Sequence, residues 1–126
     1  MDGGAAAALA LLEEASLPSA VLCGNDLTAI GAIGAFESAG VGVPKDISII
    51  GFDDIYFAHL ARPALTTIRL SREELGRLAF EALDRTLHSK RRVGALYTCA
   101  TELVVRRSTG PVIFGAPTVD RRRRAL

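Results

Sequence analysis

The stretch that decides the fold is SAVLCGNDLTAIGAIGAFESAGVGVPKDISIIGF, residues 19–52. Its first seven residues, 19–25, form a compact apolar run that ends at a glycine and an asparagine. A helical pattern follows, in which apolar residues recur every three or four positions: Leu27, Ile30, Ile33 and Phe36. Gly40 suits the left-handed conformation after a helix end, and Pro44 cannot continue a helix. The segment ISIIGF, 47–52, is a second apolar run of strand length.

These elements predict a right-handed βαβ unit with two parallel strands, because each element has the right length and the turns between them are short. Both strands are apolar throughout rather than alternating, which is typical of a sheet covered on both faces. The predicted fold class is therefore α/β, with a three-layer αβα arrangement around a mostly parallel sheet. We expect Asp26, the residue after the first strand, to be the N-cap of the helix.

The rest of the chain adds elements on both sides of this unit. An alanine-rich helix is predicted for 4–15 and a β-branched strand for 65–70. Ser71 and Glu74 have the spacing of a capping box, and the apolar stripe behind them predicts a helix over 71–88. The segment 95–109 is predicted as a late strand centred on its two valines. We assign the residues after it no fixed structure.

Composition and charge exclude several classes of protein. The 126 residues suit one domain or one lobe of a larger protein, and 49% of them are apolar. The net charge is +1, but four arginines at 121–124 supply it, and the rest of the chain is slightly acidic. Such a body lacks the basic face that nucleic acids require. The sequence also lacks an apolar stretch that would span a membrane and an export signal, and two isolated cysteines suit a cytoplasmic protein.

The sequence gives no indication of catalysis. It contains no G-x-S-x-G elbow, no P-loop, no dinucleotide-binding glycine motif and no histidine pair at metal-ligand spacing. We expect His59 to pack at an interface and His88 to favour the end of its helix. The chain is predicted to be a non-enzyme with no catalytic residue, no metal and no cofactor.

Polar residues at the ends of the two strands are the best candidates for a binding site. Asn25 ends the first strand and Asp53 ends the second, and ligands of open parallel sheets bind beyond these carboxyl ends. An amide offers a donor and an acceptor, and a carboxylate offers acceptors, which together match a sugar diol or a nucleobase edge. The pattern leaves open that both residues only cap turns. Asp54 is expected to serve the turn itself.

Several motifs in order resemble the effector-binding region of LacI-type bacterial transcription regulators. They are the strand that ends in Asn25-Asp26, AIGA in the helix, G-V-P-x-D-I-S-I-I-G-F-D-D, P-x-L-T-T-I, and ELVVRRST near the end. The resemblance covers residues 18–110. It implies two α/β lobes of the periplasmic-binding-protein type, with a small effector, such as a sugar, held in the cleft between them.

The resemblance also implies roles for individual residues. Asn25 and Asp53 match positions that hydrogen-bond the effector. The helix from Asp26 and the segment 55–62 match surfaces that pair two subunits, with four apolar or aromatic members: Ile30, Tyr56, Phe57 and Leu60. A homodimer is therefore expected. DNA contact would come only from an N-terminal helix-turn-helix domain that this sequence lacks.

The sequence departs from the family's pattern because the first lobe is also missing. Residues 1–110 would be the C-terminal part of the effector-binding and dimerisation domain, and 111–126 a tail. Helix 71–88 resembles a helix of the missing lobe, so its apolar stripe must pack elsewhere, swap into a second chain or stay exposed. Two other classes remain as alternatives: a sugar-binding protein of a transporter, and an enzyme of the doubly wound class.

Overall fold

The structure, a computed structural model, describes residues 1–88 and 94–112. Its helices are α1 (Asp2–Leu11), α2 (Asp26–Ser38), α3 (Tyr56–Leu60) and α4 (Arg72–His88). Its strands are β1 (Ala20–Leu22), β2 (Ser48–Asp53), β3 (Thr66–Leu70) and β4 (Thr101–Val104). The predicted tail lies outside the described residues from position 113 onwards.

The four strands form one sheet in the order β1-β2-β3-β4. β1 pairs with β2 and β2 with β3 in parallel, whereas β4 runs antiparallel to β3. The predicted α/β class with a mostly parallel sheet is confirmed, and β1–α2–β2 is the predicted strand–helix–strand unit. Three strands therefore bring their carboxyl ends to one edge of the sheet, where β4 begins.

The core lies between this sheet and the helices α1 and α2. Phe36 of α2, Ile49 of β2 and Leu65 before β3 are completely buried in it. The two helices pack closely, since a Cβ atom added at Gly4 would meet the carbonyl oxygen of Thr28. Burial of these side chains anchors the strands whose ends form the candidate site.

The opposite face of the sheet is more open. Burial alternates along β2, with Ile49 and Gly51 buried and Ile50 and Phe52 only half-buried. The partner of Ile50 in β1 is Leu22, which is 71% exposed. Among the described residues, the cover expected on both faces is therefore complete on the Ile49 face of β2 and partial on the Ile50 face.

Helix α4 confirms the predicted helix over 71–88, but none of its residues is buried. The hydroxyl of Ser71 accepts a hydrogen bond from the amide of Glu74 at 3.2 Å, as the capping-box spacing indicated. The exposed apolar side chains of α4 are Leu75, Phe80, Leu83 and Leu87. Within the single chain, the stripe is exposed rather than packed elsewhere.

Two strands are shorter than predicted. β1 has three residues instead of seven, because Gly24 and Asn25 already belong to the turn that starts α2. β4 has four residues, and the stretches 94–100 and 105–112 beside it are not strand. The prediction for 95–109 was too long because the residues after β4 bond to the other end of the sheet.

Ser108 makes these bonds between β2 and β3. Its buried hydroxyl donates to the carbonyl of Ile49 at 2.6 Å and accepts from the amide of Thr66 at 2.8 Å. The amide of Ile49 in turn donates to the carbonyl of Ser108 at 2.8 Å. Ser108 thus satisfies backbone groups of both strands at their amino ends.

We expect Ser108→Ala to lower the free energy of unfolding by about 1–3 kcal/mol, because it leaves two buried backbone groups without a partner. Urea unfolding followed by circular dichroism measures the change. Ser38→Ala is the matched control, since the Ser38 hydroxyl donates to the carbonyl of Gly34 at the surface. Equal effects of the two substitutions would contradict the bridging role of Ser108.

Candidate functional site

A polar hollow lies at the edge of the sheet where the three parallel strands end. Its volume is about 600 Å³, within the range of small-molecule sites. Three charged residues form a row across it. In the register of the sheet, Asp53 of β2 lies opposite Arg69 of β3, and Arg69 lies opposite Glu102 of β4. The remaining lining residues are Asp54, Leu70, Ser71, Arg72, Glu73, Ala100 and Thr101.

Asp53 and Asp54 form an unusual turn at the end of β2. Their φ angles are 106° and 49°, both in the left-handed region that non-glycine residues rarely adopt. Residues held in such conformations cluster at binding sites, where the surrounding structure fixes them. The half-buried Asp53 side chain therefore stands at the hollow on a constrained backbone.

Asp54 confirms the expectation of a turn residue, and its side chain has a further role. Its Oδ1 accepts from the guanidinium of Arg106 at 2.6 Å and its Oδ2 from Nε of Arg69 at 2.7 Å. Burial raises the pKa of Asp54, but the hydrogen bonds and charges of Arg106 and Arg69 outweigh it and hold the pKa below its usual range. Asp54 thus links the end of β2 to β3 and to the segment after β4.

Sequence reasoning missed Arg69, Arg106 and Glu102. Arg69 is the last-but-one residue of the predicted strand 65–70, so a search that included the final residues of each strand would have found it. Arg106 could not be found this way, because 52 residues separate it from Asp54.

Asn25, not Asp26, is the N-cap of α2. Its backbone is extended, with φ −159° and ψ 168°, and its Oδ1 accepts from the amide of Thr28 at 2.8 Å. That bond engages the oxygen and leaves the NH₂ group available as a donor. Asn25 lies in the turn after β1. Asp53 is among the described residues that line the hollow, and Asn25 is not. Its predicted effector contact stays a prediction.

The prediction that Asp26 caps the helix was wrong. Asp26 is already helical and fully buried. Its Oδ1 accepts from the hydroxyl of Thr67 at 2.5 Å, and its Oδ2 accepts from the amide of Ile55 at 2.8 Å. The carboxylate points into the protein because these two partners come from β3 and from the turn after β2.

An apolar groove lies between α2 and α3, away from the polar hollow. Its volume is about 410 Å³, and its lining residues are Met1, Leu27, Ile30, Phe57, Leu60 and Ala61. Three of the four predicted interface residues meet here. Tyr56 lies beside the groove, with its ring 5.9 Å from that of Phe57 and 4.8 Å from that of His59. We call this surface the α2–α3 groove.

Other kinds of site find no support within residues 1–88 and 94–112. No group of three or more histidine, cysteine, aspartate or glutamate side chains there could hold a metal ion. No helix there is long and apolar enough to cross a membrane. Both cysteines are free thiols; Cys23 is buried, which raises its pKa, and Cys99 is half-buried.

A family described as the periplasmic binding protein-like domain matches residues 1–109. The chain belongs to this family. The hollow at the carboxyl edge, with Asp53 on its wall, thus belongs to a periplasmic binding protein-like domain.

Relatives in the periplasmic binding protein-like family confirm the predicted resemblance to LacI-type regulators. The chain is 40% identical over 113 residues to the HTH-type transcriptional repressor PurR of Serratia proteamaculans. The aligned region covers 90% of this chain and 32% of the relative. A LacI-type transcription regulator from Bifidobacterium animalis has a TM-score of 0.76 and 32% identity, over 87% of this chain and 39% of that protein.

A third relative was solved with a ligand. It is a LacI family transcriptional regulator from Lactobacillus casei with bound sucrose, with a TM-score of 0.66 and 30% identity over 84% of this chain and 39% of that protein. The chain thus spans about a third of the length of its sequence relatives.

Proposed function

We propose that this chain is part of the effector-sensing domain of a LacI-type transcriptional regulator that works in the cytoplasm. The observation that carries the proposal is the row Asp53–Arg69–Glu102 at the carboxyl edge of the sheet, where it lines a hollow of small-molecule size. Relatives in which this region is part of a transcriptional repressor support it. They favour a regulator over a transporter's binding protein or an enzyme.

A sugar or similar polyhydroxylated metabolite is the effector class that the chemistry favours. The Asp53 carboxylate accepts hydrogen bonds from hydroxyl groups, and the guanidinium of Arg69 next to it donates to hydroxyl oxygens. Acidic and basic groups alternate along the row, so a neutral ligand with many donors and acceptors fits better than a strongly charged one. The L. casei relative with bound sucrose is consistent with this class.

The proposed mechanism is a shift between two conformations of two lobes. A ligand alters such an equilibrium only by the difference between its affinities for the two states. In this proposal the effector contacts Asp53 and Arg69 on one side and a second lobe on the other, and closure changes how paired DNA-binding domains sit on an operator. Outside residues 121–124 the chain is slightly acidic, so we expect no sequence-selective DNA binding by these residues alone.

The α2–α3 groove is the proposed homodimer surface. Phe57 and Leu60 are 58% and 47% exposed in the single chain. Together with Ile30 they form a contiguous apolar surface of the kind that marks protein–protein contacts. Pairing two copies through it would bury Tyr56 at the rim.

Sugar binding by the chain tests the sensor proposal. We expect glucose, sucrose or cellobiose to shift the amide resonances of Asp53, Arg69 and Glu102 in two-dimensional NMR titrations. Asp53→Ala is expected to weaken the binding by about 10–100-fold, because a hydrogen bond to a charged group contributes about 1.5–3 kcal/mol.

The matched control is Asp46→Ala, which removes a carboxylate at the opposite end of β2. There Oδ2 of Asp46 accepts from the amide of Gly42 at 2.8 Å. This control should leave sugar affinity unchanged. Shifts confined to residues far from the hollow, or equal losses in both variants, would contradict the proposed site.

A further inference from the structure

We propose that Asp26 is a positioning residue of the effector site, whose buried carboxylate fixes the direction in which Asp53 faces the hollow. The inference rests on the proposed function, in which Asp53 binds the effector. The effect of Asp26 on the backbone of the turn can be tested without any ligand. Asp26 itself does not line the hollow among the described residues, so it would act through the turn that bears Asp53.

The side chain of Asp26 accepts two hydrogen bonds. The amide of Ile55 donates to Oδ2 at 2.8 Å, and the Thr67 hydroxyl donates to Oδ1 at 2.5 Å. Asp26 is fully buried, so both bonds are shielded from water. Hydrogen bonds that are shielded from water are stronger than exposed ones and fix the geometry of the groups they join.

Ile55 directly follows the two residues with positive φ, Asp53 and Asp54. Such a conformation is unfavourable for residues other than glycine and persists only when its surroundings hold it. Asp26 holds the turn by the amide of Ile55, and Arg69 and Arg106 hold it by the carboxylate of Asp54.

Strand β2 provides the space for the Asp26 carboxylate. A Cβ atom at Gly51 would clash with Oδ1 of Asp26. Glycine at this position therefore lets the Asp26 carboxylate lie against β2, two residues before Asp53. Strand β2, which ends at Asp53, thus carries a glycine at the point where the Asp26 carboxylate contacts it.

Asp26 differs from a carboxylate that only stabilises a turn. Asp46, at the amino end of β2, accepts from the amide of Gly42 within its own loop. Asp26 instead joins α2, the β2 turn and β3, which are the elements around the hollow. This difference supplies a control with the same chemistry and a different location.

The experiment compares Asp26→Ala, Asp26→Asn and Asp46→Ala in the whole chain by NMR. The three-bond HN–Hα coupling of Asp53 reports its φ, since the coupling is small at 106° and large in extended backbone. We expect Asp26→Ala to raise this coupling and to speed hydrogen exchange of the Ile55 amide by about tenfold or more, which corresponds to losing a bond of about 1.4 kcal/mol. Asp46→Ala should change neither readout.

Asp26→Asn is the conservative variant that should restore the geometry. Its amide oxygen can accept from Ile55, while its NH₂ group donates to the oxygen of Thr67. Should Asp26→Ala fail to fold, Thr67→Val provides the second test, because it removes one of the two anchors of Asp26 and is expected to speed exchange at Ile55.

The outcomes separate this inference from the proposed function. An unchanged Asp53 coupling and Ile55 exchange in Asp26→Ala would overturn the positioning role, whatever the sugar titrations show. Altered turn readouts together with no sugar binding by the wild-type chain would uphold the positioning role and count against the sensor proposal. If glucose binds, its affinity should fall in Asp26→Ala and recover in Asp26→Asn.

Discussion

Asp54→Ala is expected to lower the free energy of unfolding by about 2–4 kcal/mol. Removing one partner of a buried ion pair costs about 3–5 kcal/mol, because the remaining charge is left without compensation. The Asp54 side chain is only 9% exposed and Arg106 only 18%, whereas Arg69 is 48% exposed and is screened by water. The expected value therefore lies somewhat below the full range. Urea unfolding measures it.

The same substitution is expected to change the acid stability of the chain. Because the pKa of Asp54 is lower in the folded state than its unfolded value of about 3.9, its stabilising contribution is present above that value. The contribution is lost as the pH falls through the folded pKa. Wild type should therefore lose more stability than Asp54→Ala between about pH 5 and pH 2.

Glu81→Ala is the matched control for Asp54→Ala. Glu81 pairs with Arg77 on the exposed surface of α4, where ion pairs contribute little. Its urea midpoint should stay at the wild-type value. A comparable loss of stability in the two variants, or identical acid profiles of wild type and Asp54→Ala, would show that the Asp54 network does not tie the strands together.

Leu60→Asp is expected to weaken the proposed homodimer by about 100–1,000-fold. The substitution would place two carboxylates, one from each copy, in the apolar α2–α3 groove, where burying a charge without a partner costs several kcal/mol. Sedimentation equilibrium over a concentration series measures the dissociation constant.

Leu9→Asp is the control for this prediction. Leu9 is an exposed apolar residue of α1 and does not line the α2–α3 groove. It should leave the association unchanged. A wild-type chain that stays monomeric at all accessible concentrations, or a dimer that survives Leu60→Asp, would place the homodimer contact elsewhere.

Local patterns predicted the parts of the fold that depend on local interactions. The apolar runs of β1 and β2 and the three-and-four spacing of α2 sufficed to predict parallel strands and a shared carboxyl edge. Asp53 could be selected because it ends a strand. The capping box of Ser71 and Glu74 likewise located the start of α4.

The errors have a common cause in contacts between distant residues. Asn25 and Asp26 are both good N-cap residues, so local propensity does not decide between them. The choice is made by Thr67 and Ile55, which bond the Asp26 carboxylate and are 41 and 29 residues away along the chain. The length of the last strand was overestimated for a similar reason, since Ser108 bonds across the starts of β2 and β3.

This bridging hydroxyl has a consequence for biosynthesis. A ribosome adds about 5–20 residues per second, so the 42 residues between Thr66 and Ser108 take seconds to emerge. During that time the nascent β2 and β3 lack the side chain that joins Ile49 to Thr66. The bridge between the starts of β2 and β3 therefore forms only when a segment made well after both strands has emerged.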